Sequence, residues 1–149
     1  MDRLVREYYG LVKRYCAFVE GLVISRDRIE ELMSILLQLY EKAFHLPDLD
    51  VNNVSVKRLD KVLPLKMDIP DHYWLAFDPF DGDDEANLVC SPIFDDLNDI
   101  YRDLMEGVTK YDMGEIGDAV FDWKEGAKGH WGDHAVSLIK ALHWLRTTH

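Results

Sequence analysis

Residues 91–110 read Ser-Pro-Ile-Phe-Asp-Asp-Leu-Asn-Asp-Ile-Tyr-Arg-Asp-Leu-Met-Glu-Gly-Val-Thr-Lys. Ser91-Pro92 is a helix start, because a serine side chain can take the free N–H groups of a first turn and proline tolerates the first helical position. Beyond it, Ile93, Phe94, Leu97, Ile100, Tyr101, Leu104, Met105 and Val108 recur with a helical period. On a wheel they fill an arc of roughly 140°. Asp95, Asp96, Asp99, Asp103 and Glu106 are centred nearly opposite that arc. An amphipathic helix with an acidic back, running to about Lys110, is predicted, with most of those carboxylates facing water unless another segment covers them.

The same period governs the chain on both sides. Upstream, Leu4, Tyr8, Leu11, Tyr15, Phe18 and Leu22 alternate steps of four and three, and Val5, Val12, Cys16, Val19 and Val23 widen the stripe. This predicts a helix from about 2 to 23. Ser25 and Asp27 offer N-cap chemistry, and Asp27 with Glu30 has the spacing of a capping box. A second helix follows, with Ile29, Leu32, Met33, Leu36, Leu39, Tyr40, Ala43 and Phe44 on its inner face and Pro47 ending it. Two such helices joined by a short turn should lie antiparallel. Residues 55–63 predict a short helix stopped by Pro64. From Leu65 to Cys90 there is no helical period, and Pro70, Pro79 and Gly82 stand among seven acidic residues. An irregular acidic excursion is expected there, with Tyr73–Phe77 extended against the bundle.

Downstream, the stripe Ile116, Val120, Trp123, Ala127 resumes at Trp131, Ala135, Leu138, Leu142 and Leu145. Gly126, Gly129 and Gly132 interrupt it, each costing about 1 kcal/mol relative to Ala in a helix, so a break near 129–132 is expected. The fold class read from these patterns is all-α: a compact bundle of about five or six helices, one domain over residues 1–149.

The 149 residues include 48% hydrophobic and 30% charged side chains, with a net charge of −11. That composition is globular. A phosphate backbone would repel such a chain, which argues against nucleic acid as partner. The charge is uneven: residues 1–60 hold nine basic and ten acidic side chains, residues 61–149 hold eight and eighteen. Between Met67 and Met105 there are eleven acidic residues and one basic, Arg102. Cys16 and Cys90 make no disulfide framework or metal spacing, and Cys16 falls inside an apolar stripe. Residues 1–7 lack a basic-then-apolar secretory pattern, and no stretch reaches the roughly 18 apolar residues of a membrane span. A cytoplasmic protein that does not engage membranes is expected.

Several residues could carry chemistry. Asp96, Asp99 and Asp103, at helical steps of three and four, are the best candidate ligands for a divalent metal, with His134 as a fourth. His130 and His134 are four apart, a metal-compatible spacing only if the helix is continuous there. Otherwise His134 and His143 read as histidines hydrogen-bonded at the edge of the core. The run Asp78–Glu85 fails the register of a calcium loop and reads as an Asp-rich surface turn. No nucleophile elbow, Walker loop, dinucleotide fingerprint or Cys-x-x-Cys is present. No cofactor is predicted, and a divalent ion is the one that the Asp/His set could take.

The run Asp96–Leu104, then Trp131-Gly132-Asp133-His134 and Ala141-Leu142-His143, resembles an uncharacterised bacterial family, domain of unknown function 5063. Leu39–Ala43, Leu46-Pro47 and Phe77-Asp78-Pro79 are similar to it in the same order. The resemblance implies a small helical bacterial domain and leaves function open, and it places Asp99, Asp103, Trp131, Gly132, His134 and His143 in family motifs. Lys140 and Trp144, flanking the last of these, depart from the pattern.

Together these features favour a non-enzymatic acidic domain that recognises a basic protein surface, of the immunity or antitoxin kind, through Asp95, Asp99, Glu106 and Trp144. A divalent-metal-dependent hydrolase using Asp96, Asp99, Asp103 and His134 is the alternative. A homo-oligomer built on the exposed side of the last helix, where Trp144 sits, is a third.

Overall fold

The computed structural model describes residues 2–148. Helix α1, Arg3–Glu20, starts where the Asp2 carboxylate accepts the N–H groups of Leu4 and Val5. It ends three residues sooner than the apolar stripe suggests. Gly21 closes it and Leu22 takes the left-handed region, φ 62°, which turns the chain. Val23–Ile24 therefore leave the helix and form strand β1, paired in parallel with β2, Lys66–Met67.

Helix α2 spans Ile29–Ala43 after a single 3₁₀ turn at Arg26–Arg28. The expected capping box does not form, since neither Ser25 nor Arg28 makes a side-chain cap and α2 begins beyond Asp27. Tyr8, early in α1, donates its hydroxyl to the Leu39 carbonyl late in α2 at 3.0 Å, which fixes the two helices antiparallel.

The short helix expected at 55–63 is absent: residues 44–65 run as a strap without regular structure. Their backbone polar groups go elsewhere. Asp118 accepts the N–H groups of Asn52 and Val54, each at 2.6 Å, and Asn98 Oδ1 accepts that of Leu63 at 2.8 Å. These long-range bonds replace the ladder a local helix would have supplied.

The excursion at 65–90 is more ordered than its composition suggests. Strands β3, His72–Ala76, and β4, Leu88–Pro92, pair antiparallel in the register His72↔Pro92, Trp74↔Cys90 and Ala76↔Leu88. Tyr73, Leu75, Val89 and Ser91 form its half-buried face, as the period of two requires.

Three helices complete the bundle: α3, Ile93–Asp112; α4, Ile116–Gly129; and α5, Trp131–Thr148. The expected break falls at His130, whose backbone leaves the helical region. Beside it the chain needs glycine, because a Cβ on Gly132 would lie 1.8 Å from the Ala127 carbonyl oxygen. Trp123 and Trp131 fill the centre of this corner, fully buried, with their indole N–H groups given to the carbonyls of Leu104 and Trp123, both at 3.1 Å.

Candidate functional site

The acidic back of α3 does not face open water along its length. The hairpin β3–β4 covers one stretch and the α4–α5 corner covers another, so Asp96 is only 1% exposed. A carboxylate taken out of water needs donors to replace it. Asp96 has three: the Tyr73 hydroxyl at 2.5 Å, the Ser91 hydroxyl at 3.2 Å and His134 Nδ1 at 2.8 Å. Ser91, expected to cap α3, instead spends its hydroxyl on Asp96. The wheel placed Asp96 correctly on the helix, and the covering segments lie 38 residues away in the case of His134.

His134 is thereby oriented. With Nδ1 held by Asp96, its Nε2 stands 3.4 Å from Asp99 Oδ2. The hydrogen bond to Asp96 raises the His134 pKa above its usual value, against the opposing effect of burial, with Asp96, Asp99 and Asp103 adding Coulombic support. Burial, followed by the same hydrogen bond to Asp96, pushes the Tyr73 phenol well above its ordinary range. His130 Nδ1 lies 3.5 Å from Asp103 Oδ2. Thus Asp96, Asp99, Asp103 and His134 converge even though α4 and α5 are separate helices.

The convergence comes with cations. Arg102 binds Asp99. Arg58, reaching over from the strap, lies 3.4 Å from Asp103 and 4.0 Å from Glu106. Lys110 is 2.6 Å from Asp122. Asp96, Asp99, Asp103, Glu106 and Asp122 are each matched by a guanidinium, ammonium or imidazole group of the chain. Among the described residues, no group of three His, Cys, Asp or Glu side chains is placed to hold a metal ion.

Three hollows surround these groups. Two adjoining ones, of about 320 and 340 Å³, share Arg58, Asp103 and His130. The third, of about 540 Å³, runs between the hairpin and α5 and ends on Asp96 and His134. His134 therefore separates an acidic, Arg58-bridged cleft from a groove with largely apolar walls.

The remaining expected residues scatter. Asp95 is exposed near the start of α3, Glu106 lies in the Arg58 cleft, and Trp144 is 58% exposed beside a different hollow lined by Pro70, His72 and Tyr73. Glu106 and Trp144 thus border separate hollows instead of one surface. His143 is exposed, so it is not at the edge of the core. Cys16 is buried, and burial pushes its thiol up to about 12, which makes it inert at neutral pH.

The sequence reading placed an Asp-rich surface turn at Asp78–Glu85 and missed the rings that stand on it. Phe77 and Phe80 are 80% and 97% exposed, flanking and interleaving five carboxylates from Asp78 to Glu85. The Asp side chains hold the turn, with Asp78 accepting the Phe80 N–H, Asp81 that of Asp83 and Asp84 that of Ala86. Asn87 clamps it by donating to the carbonyls of Asp78 and Asp81. The signal was the pair of phenylalanines in a polar loop with no apolar period to bury them.

A five-helix bundle carrying an acidic cleft and an ordered acidic-aromatic hairpin is the class this architecture defines. The chain belongs to the family described as domain of unknown function (DUF5063), whose model matches residues 1–148. Among solved structures it is similar to protein BF1032 from Bacteroides fragilis, with a TM-score of 0.74 and 22% identity over 99% of this chain and 98% of that one. At that identity the likeness is one of fold. No curated protein matches the chain. Among the described residues no helix is long and apolar enough to cross a membrane.

Proposed function

We propose that this chain is a non-enzymatic interaction domain whose recognition element is the tip of the β3–β4 hairpin and whose partner presents a basic, partly apolar protein surface. One observation carries the reading: Phe77 and Phe80 stand in water on an ordered loop with five carboxylates and no basic residue. Exposing two phenyl rings on a solvated loop forgoes the burial that would stabilise the fold, and exposed aromatic rings inside a polar rim fit the anatomy of a docking surface. The carboxylates would steer a cationic partner and the rings would hold it.

A photo-crosslinking residue in place of Phe80, introduced into the intact chain in its native host, tests this. The expected result is a discrete adduct with a basic protein, lost in the Asp83→Lys/Glu85→Lys background, which leaves the turn-holding Asp78, Asp81 and Asp84 in place, and weakened by 0.5 M salt. An adduct indifferent to both changes, or no discrete adduct, would overturn it.

A second reading, a divalent-metal-dependent hydrolase, draws on the oriented imidazole. A carboxylate holding one nitrogen of a histidine while the other faces a carboxylate-lined cleft is the arrangement that serves metal ligands and general bases. In this reading Asp99, Asp103 and His134 would hold the ion and Asp96 would orient His134. It requires Arg102 to leave Asp99, Arg58 to leave Asp103 and the three ligands to close on one another, since as they stand they are not placed to hold an ion; the melting experiment argued in the Discussion separates it from the first.

A further inference from the structure

The groove of about 540 Å³ between the hairpin and α5 is not the tip itself, and its lining has a composition of its own. Leu75 and Val89 from the hairpin and Val136 from α5 make apolar walls, and Tyr40 from α2 and Phe77 contribute rings. Its polar end is made by Asp133, Asp96, His134, Ser91 and Ser137. Among the described residues, none of those lining it is a lysine or arginine.

Charge and shape narrow the occupant. Two carboxylates and one imidazole leave the lining net negative whether His134 is protonated or neutral, so an anionic group is repelled. A neutral apolar group would satisfy the walls and draw nothing from the exposed carboxylate of Asp133. A cation at the end of an aliphatic stem satisfies both, since the stem lies along Leu75, Val89 and Val136 while the charge meets Asp133 and the ring faces of Tyr40 or Phe77. The volume lies within the range of ligand pockets.

We propose that this groove seats a lysine or arginine side chain of the protein partner, as the anchor of the complex that the hairpin tip recruits. The proposal rests on the reading of the chain as a binder of basic surfaces and adds the site and chemistry of its central contact. Phe77 belongs to both surfaces, forming one wall of the groove and the base of the exposed tip, so tip and groove make a continuous face.

The test is a ¹H–¹⁵N titration of the full chain with the capped pentapeptides Ala-Ala-X-Ala-Ala, where X is arginine, lysine, norleucine or glutamate, with hexylamine as a further arm. The arginine or lysine peptide is expected to move the amides of Val89, Ser91, His134 and Val136, with at least fivefold weaker binding for norleucine and no shift for glutamate. Val136→Trp, at a partly exposed position that tolerates a larger side chain, should abolish these shifts by filling the groove. Asp133→Asn should weaken them severalfold, and Phe80→Ser should leave them intact.

Equal binding of norleucine and arginine would overturn the cationic assignment, and shifts that survive Val136→Trp would overturn the location. Tighter binding of hexylamine than of either basic peptide would make the groove a small-amine site and overturn the protein anchor, as would silence from every probe. A failed crosslink at Phe80 beside a positive arginine titration would remove the tip and keep the groove, and the reverse pair of results would do the opposite.

Discussion

At the scale of single residues, the most consequential is Asp96. Its two oxygens collect Tyr73 from the hairpin, Ser91 at the end of that hairpin and His134 from α5. One buried carboxylate therefore ties three elements to α3, and it sets the protonation of His134. Because the folded-state pKa of His134 is raised, the ion pair stabilises the protein fully below the unfolded value of 6.5 and is lost as pH rises through the raised folded value. In an NMR titration of the histidine ring protons, wild-type His134 is expected to titrate above 6.5. In Asp96→Asn the amide can still accept Nδ1–H but offers no charge, so the midpoint should fall. Urea unfolding should show the wild type losing part of its advantage over Asp96→Asn between pH 6 and pH 9. A midpoint unchanged in the variant would mean that Asp99 and Asp103, not Asp96, govern the imidazole.

At the scale of elements, two junctions decide where the site residues stand. The first is the hairpin, joined to α3 by the Tyr73 phenol. Tyr73→Phe keeps the ring against the bundle and removes one hydrogen bond to a buried carboxylate, which should cost about 1–2 kcal/mol. Its clearer mark should be faster amide exchange throughout 72–92 than in α1, since hairpins with few buried contacts open locally. Uniform acceleration would show that the hairpin opens only with the whole fold.

The second junction is the α4–α5 corner. Gly132→Ala would drive a methyl into the Ala127 carbonyl, which is backbone and cannot swing aside. The expected cost is about 3 kcal/mol, or roughly 10 °C in melting temperature for a chain of this length. The same change should displace His134 from Asp96, lowering the His134 midpoint, whereas Gly129→Ala meets nothing and should do neither.

These junctions also mark how far the sequence could be read. The helices were legible because an apolar stripe is a local signal, and so was the break at 130, because three glycines three residues apart are costly in any helix. The strap at 44–65 was not, since its backbone partners, Asp118 and Asn98, lie dozens of residues downstream. Nor was the burial of Asp96: a wheel reports which side of its own helix a residue occupies and carries no information about Tyr73 or His134 arriving from elsewhere. The acidic face was read as facing water unless another segment covered it, and the hairpin and α5 are that cover, which the sequence could not name.

At the scale of the molecule, the net charge of −11 sets two opposing effects against each other. Salt weakens the exposed pairs Arg3–Glu7, Arg28–Glu31 and Lys128–Glu125, which water already screens. Salt also relieves repulsion among carboxylates that have no counter-charge nearby, five of them at the hairpin tip, over a Debye length that falls to about 10 Å at 0.1 M. Repulsion should dominate, because acidic side chains outnumber basic ones 28 to 17. The melting temperature is therefore expected to rise by a few degrees between 20 and 300 mM NaCl, and a fall would show that the ion pairs matter more than the field.

The same melt decides between the two functional readings when EDTA-treated protein is given Mg²⁺, Mn²⁺, Zn²⁺ or Ca²⁺ at ionic strength matched with NaCl. An ion at 100 times its Kd would add about 2.7 kcal/mol, which is roughly 8 °C for a chain of this length. Arg102 already neutralises Asp99, and Arg58 already neutralises Asp103, so an entering ion would have to displace two guanidinium groups before gaining its ligands. No rise beyond matched NaCl is expected. A rise specific to one ion, and abolished in both Asp99→Ala and His134→Ala, would reverse that conclusion and put hydrolysis ahead of protein recognition. The titration of His134 would register the same event independently, because a bound cation competes with the imidazole proton and pulls the raised midpoint down.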